Sequence, residues 1–350
     1  MPRIEEMLRI AHENKASDLH ITVGVPPKMR INGELVEMGG DRLMPPDTEA
    51  IIDQVMNDYQ RKRFDELGEW DMSFSVPELG RYRVNAYRQR GTVAAAFRIV
   101  GTQVPSPEVL GVPQSVIELY NRKRGLILVT GPTGSGKSTT LAAIIDKVNN
   151  HRECHVITLE DPIEYLHRHK KSMVNQREIG IDSMSYANAL RASLREDPDV
   201  ILVGEMRDFE TISVAVTAAE TGHLVLSTLH TTGAASTVDR VIDVFPPHQQ
   251  QQIRVQFANV LESVVSQQLI PTVDGKGRAA AFEVLHANHA VRNLVREGKS
   301  HQLISVMQTN RKMGMMTMDE AIIQLYHEGK ISREQAILFS ADPDGMERRI

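Results

Sequence analysis

The segment that most restricts this chain is Gly131-Pro132-Thr133-Gly134-Ser135-Gly136-Lys137-Ser138. The apolar run Leu126-Ile127-Leu128-Val129-Thr130 precedes it, and Thr139 with a helix-periodic stretch to Val148 follows. Gly-x4-Gly-Lys-Ser between a buried strand and a helix is the pattern of a phosphate-binding loop. Its glycines let the backbone curl so that successive N–H groups point at one spot, and the helix N-terminus adds a partial positive charge there. Residues 131–139 are therefore the predicted nucleotide contacts, with Lys137 reaching the β- and γ-phosphates and Ser138 ligating Mg2+. Binding and hydrolysis of Mg-ATP is the expectation.

A phosphate loop does not by itself separate kinase, GTPase and motor; the acids around it do. Asp197-Pro198-Asp199-Val200-Ile201-Leu202-Val203-Gly204-Glu205 is an apolar strand ending in an acid, the form of a Walker B segment. It departs from the usual form in placing a glycine before a glutamate, where many such proteins have aspartate at once. Glu205 is assigned to Mg2+ or its water. Thr158-Leu159-Glu160-Asp161-Pro162-Ile163-Glu164 closes another strand at the same sheet edge, where open α/β sheets hold their ligands. Glu160 is the first choice for the carboxylate that accepts a proton from the attacking water, with Asp161 and Glu164 beside it. Without the phosphate loop this segment would read as a turn with acids.

His223 and His230 flank the apolar run from Leu224 to Leu229, and both are candidate catalytic residues. His230, at the strand end, is placed to sense the γ-phosphate and relay it to the next subunit; a hydrogen-bonded structural histidine is the other reading. Arg191 and Arg195 share a helix face and either touch phosphate or pair with acids. His167 with His169, and His151, Cys154 and His155, are too irregularly spaced for a metal site and read as surface.

Length and composition bound the rest. A chain of 350 residues points to two domains, and 41% hydrophobic with 24% charged residues is ordinary globular composition. The net charge of −5 gives no general attraction to nucleic acid or anionic lipid, and Arg122-Lys123-Arg124 reads as a solvated strand entrance. One cysteine, Cys154, excludes an internal disulfide. The first residues lack the apolar core of a signal peptide, and no stretch reaches the ~18 apolar residues of a membrane span. The expectation is a cytoplasmic protein without direct membrane insertion.

Residues 1–100 read as a small α+β domain. Ile4, Met7, Leu8 and Ala11 share a helical face; Leu19, Ile21 and Val23 alternate as in a strand; Asn32-Gly33 marks a hairpin. One helix is predicted over 47–67, capped by Asp47 with Tyr59 inward, and strands around Trp70 to Val76, Tyr82 to Ala86 and Val93 to Ile99. Residues 101–113, with three prolines and two glycines, read as a linker. Residues 114–350 alternate strand and helix as in a mostly parallel sheet. Helices are predicted over 137–148, 185–195, 211–220 and 248–268, and helical periodicity over about 288–350.

This constellation resembles the type II/IV secretion ATPases, and within them the PilT-like pilus retraction motors. Ala16-Ser17-Asp18-Leu19-His20-Ile21 is similar to the family's N-terminal signature, Ile157 to Glu164 to its Asp box, Asp199 to Asp208 to its Walker B, and Thr221 to Thr231 to its His box. Val291 to Lys299 resembles the segment required for retraction but departs from the family's Ala-Ile-Arg-Ala-Gly consensus. The resemblance implies a RecA-like P-loop core with an N-terminal PAS-like domain and a C-terminal helical region. It implies a homohexamer acting on an inner-membrane pilus platform protein at the inner face of the cytoplasmic membrane. It also implies arginines supplied by the adjacent N-terminal domain; among Arg81, Arg83, Arg88, Arg90 and Arg98, Arg83 and Arg98 are favoured.

Four alternatives remain at this level, among them a non-enzymatic nucleotide-gated scaffold. Assembly ATPases carry a longer N-terminal region and a tetracysteine zinc element, which this chain lacks. An accessory retraction paralogue stays open. A RecA-like nucleic-acid translocase is disfavoured by the acidic balance and the want of a basic stripe with interleaved aromatics.

Overall fold

The computed structural model describes residues 3–31, 33–77, 79–100 and 104–350. Asn32 of the expected hairpin and residues 101–103 of the expected linker lie outside them, as do Met1 and Pro2. The chain forms two compact units, residues 1–103 with 164–166, and 104–163 with 167–350. The linker stretch from Val104 onward thus belongs to the second unit, where Val112 is buried in the core. Among the described residues no helix is long and apolar enough to cross a membrane.

The first unit runs α1 (Ile4–Glu13), β1 (Asp18–Ile21), β2 (Lys28–Ile31), β3 (Glu34–Glu37), α2 (Pro45–Val55), α3 (Asp58–Leu67), β4 (Glu69–Val76), β5 (Gly80–Gln89) and β6 (Thr92–Ile99). Its antiparallel sheet has the order β3-β2-β1-β6-β5-β4. Leu19, Phe97, Val84 and Met72 share one face of that sheet with the buried side of the helices. The single helix expected over 47–67 is two helices. Asn57 accepts a bond from the Gln60 N–H, and the Gln60 side chain accepts one from the Asn57 N–H, so a capping box restarts the chain. Asp47 is not the cap either; it accepts from the Met44 N–H three residues back. Tyr59, expected inward, is exposed.

The second unit runs α4 (Gln114–Ile117), β7 (Gly125–Thr130), α5 (Lys137–His151), β8 (His155–Glu160), β9 (Met173–Glu178), α6 (Tyr186–Ser193), β10 (Val200–Val203), α7 (Phe209–Glu220), β11 (Leu224–Leu229), α8 (Ala234–Asp243), α9 (Pro247–Val260), β12 (Leu261–Pro271) and β13 (Arg278–His286). Five helices follow: α10 (His289–Arg296), α11 (Leu303–Thr309), α12 (Met318–His327), α13 (Arg333–Phe339) and α14 (Pro343–Glu347). The seven-stranded sheet has the order β13-β12-β7-β11-β10-β8-β9, parallel except for β13. Every residue of β7 and β11 is buried, because helices cover both faces.

The helix expected over 248–268 ends at Val260. Leu261, Val264 and Val265 satisfy a helical spacing, but Leu261–Pro271 pairs with β7 and β13, and burial on both faces decides for strand.

Candidate active site

The strand register brings the predicted segments to one rim. Leu229 stands opposite Thr130, and Val203 opposite both Leu159 and Ser227. The phosphate loop, Glu160, Glu205 and His230 therefore all lie at the carboxyl ends of four neighbouring strands, β7, β11, β10 and β8.

The loop from Gly131 to Gly136 joins β7 to α5 as the motif requires. Gly131 has φ +139°, and a Cβ there would collide with the Gln267 carbonyl on β12. The glycine thus serves close approach of a neighbouring strand as well as curvature. Thr140 donates to Gln267 Oε1 at 2.7 Å, tying the first turn of α5 to the same strand. Among the described residues no side chain caps α5, whose N-cap is Gly136, so the partial positive charge of the helix N-terminus faces the loop. The buried Lys137 donates from Nζ to the Gly131 and Pro132 carbonyls, at 2.8 and 3.0 Å, which holds its ammonium over the loop. The Ser135 hydroxyl is buried in the loop without a partner among the described residues. A cradle of N–H groups, an ammonium and a hydroxyl fits a polyphosphate.

Glu160 ends β8. Its Oε1 accepts from the Thr158 hydroxyl at 2.6 Å and from Gln176 Nε2 at 3.1 Å. Glu205 lies just past β10, 2.7 Å from Arg207 and 3.6 Å from His230 Nε2. The glycine before Glu205 has a packing cause. A Cβ on Gly204 would stand 2.8 Å from the Tyr186 hydroxyl and 3.1 Å from the Leu159 carbonyl. Tyr186 is the first residue of α6; burial, then the charges of Asp161, Glu205 and Glu160, push its phenol far up, so it stays neutral beside the acids.

His223 is not brought to this rim. It precedes β11, and its carbonyl accepts from the Gly125 N–H at the start of β7, so it sits at the amino ends of the strands. Its ring lies 2.9 Å from the Ala218 carbonyl, a local contact at the end of α7. The catalytic expectation for His223 fails within this subunit for that reason. Arg191 pairs with Glu210. His167, read as surface, is tucked in; burial pulls its pKa down to about 4.

Arg83 and Arg98 face each other across β5 and β6. Asp18 pairs with Arg98 across β1 and β6, and its carboxylate takes the Arg98 Nε bond at 2.9 Å. Burial pushes the Asp18 carboxyl up, but the Ser17 and Arg98 hydrogen bonds and the guanidinium charge outweigh it, leaving the group below its ordinary value. The Arg83 guanidinium lies 4.0 Å from Asp71.

Sequence reasoning passed over Gln176, Arg207, Tyr186 and Gln267. Arg207, two residues past Glu205 and outside helix and strand, could have been read from its closeness to the Walker B acid. The other three are far from the motifs in sequence and left no local signal.

The family model for type II/IV secretion system proteins matches residues 112–338. The type IV pilus retraction ATPase PilT of Pseudomonas aeruginosa is 49% identical over 95% of this chain and 96% of its own length. A twitching motility protein of Neisseria gonorrhoeae is 49% identical over 89% of this chain and 83% of its own. A crystal structure of the pilus retraction motor PilT with bound ADP superposes with a TM-score of 0.93 at 49% identity, covering 99% of this chain and 100% of that one. With a phosphate loop, two strand-end acids and a histidine on one rim, the chain belongs to the type II/IV secretion system protein family and is an ATPase of its pilus-retraction type.

Proposed function

We propose that the chain is the motor that withdraws type IV pili, hydrolysing ATP in a homohexameric ring against an inner-membrane platform protein. The observation that carries this reading is the single rim on which the phosphate loop, Glu160, Glu205 and His230 meet. The loop N–H groups and Lys137 hold the β- and γ-phosphates, and Thr139 continues the contact into α5. Glu160 orients the attacking water and takes its proton; Glu205 and His230 flank the γ-phosphate, with Arg207 steadying Glu205. Ser138 and Glu205 are the residues that would hold Mg2+, which when bound neutralises phosphate charge. Positioning and electrostatics carry such a reaction, with little covalent help from the protein.

The neighbouring subunit supplies Arg98 and Arg83 to this rim. Asp18 pre-orients Arg98, which gives the N-terminal signature a physical task. An arginine given in trans is worth ~10³ to 10⁵ in rate by offsetting charge that develops in the transition state.

Two measurements test the reading. The purified Glu160→Gln protein should bind ATP normally and release phosphate at least about a hundredfold more slowly; turnover at the wild-type rate would move the base role to another acid. Deleting the gene should leave cells that make pili and cannot withdraw them, and bald cells would instead make the chain an assembly motor.

A further inference from the structure

We propose that Gln176, acting with Thr158, is the positioning residue that sets the orientation of the Glu160 carboxylate for turnover. The proposal rests on the reading of Glu160 given above.

Gln176 lies on the edge strand β9, opposite Thr158 of β8. Paired residues of adjacent strands share a sheet face, and Glu160, two residues beyond Thr158, shares it too. The amide of Gln176 has a definite orientation. One end accepts from the His167 backbone N–H at 2.8 Å, so that end is the oxygen. The other end is then NH2, and it donates to Glu160 Oε1 at 3.1 Å. The fully buried Thr158 donates to the same oxygen at 2.6 Å.

Two donors on one oxygen matter because the last torsion of a glutamate is broad and settles on no single rotamer by itself. Here a backbone N–H, which cannot rotate, fixes the glutamine, and the glutamine with Thr158 fixes the carboxylate. The strand pairing of β8 with β9 thus extends into a side-chain relay that ends on the acid. A misplacement of about 1 Å at a reacting group can cost on the order of a hundredfold in rate. A glutamine that only tied the connection between β8 and β9 would serve stability and leave Glu160 unaffected.

The test separates these roles through two variants that share one defect. Gln176→Met removes the bonds to the His167 N–H and to Glu160. Gln176→Glu, assayed at alkaline pH where both carboxyls are ionised, keeps an acceptor for the His167 N–H and loses the donor to Glu160, so it remains informative where Gln176→Met fails to fold. Both should lower kcat at least about tenfold while KM for ATP changes by less than about twofold. In a Glu160→Gln background, single-turnover phosphate release should fall no further when Gln176→Met is added. An equal loss in both backgrounds, or wild-type kcat in Gln176→Glu, overturns the proposal while Glu160 keeps its role. Wild-type turnover in Glu160→Gln alone overturns the reading of Glu160 instead, and the two failures are distinct.

Discussion

At Gly204 a single methyl group would stand 2.8 Å from the Tyr186 hydroxyl and crowd the Leu159 carbonyl. Glu205 follows directly, so any backbone shift that relieves the crowding moves an acid of the site. Gly204→Ala is expected to slow turnover by about ten- to a hundredfold at saturating ATP, since about 1 Å of displacement is enough. Adding Tyr186→Phe, which removes the nearer obstacle, should return part of the rate in the same phosphate-release assay; no recovery would mean that the Leu159 carbonyl alone sets the limit. The departure from the commoner Walker B pattern is therefore a packing requirement, and it depends on a tyrosine remote in sequence.

Among the elements, the break between α2 and α3 depends on the reciprocal bonds of Asn57 and Gln60. Asn57→Ala is expected to cost about 1 kcal/mol of stability in the first unit. The one tryptophan, Trp70, lies in β4 of that unit, so a urea titration followed by its fluorescence reads this unit directly. In the second unit, His167 follows β8 and His286 ends β13. Burial holds both imidazoles down to a pKa of about 4, against 6.5 ordinarily. The sign follows from proton counts: between pH 6.5 and 4 the unfolded chain binds protons that the folded chain refuses, so stability falls as pH falls through that window. Each group accounts for roughly 3 kcal/mol at the limit. The melting temperature should drop between pH 7.5 and pH 5, and the His167→Gln, His286→Gln double variant should flatten that slope.

For the whole molecule the decisive expectation concerns subunits. Lys137→Ala removes the phosphate ligand and leaves the arginines; Arg98→Ala does the reverse. Each should be nearly inactive alone. If Arg98 acts across a head-to-tail ring interface, mixing the two in equal amounts should restore about a quarter of the wild-type rate, since each site draws from two neighbours. Activity no higher than that of either variant would remove Arg98 from its role in trans. Much of the molecule was legible in the chain. The phosphate loop, the apolar strand before Glu205 and the acids after β8 are local patterns, fixed by backbone curvature and by strands too apolar to lie anywhere but inside. The hidden part was equally definite: β9, β13 and α8 left no clear local signal, and helix and strand compete on equal local terms in Leu261–Pro271 until β7 and β13 pair with both its edges. The sequence by itself determined that a nucleotide phosphate is held and that carboxylates accompany it, because those tasks need specific residue types at short spacing. Only the tertiary structure decided that His223 stands at the far edge while His230 stands at the rim, and that Gln176, Tyr186 and Gln267 complete the site, because which strand ends meet is settled by sheet order and register.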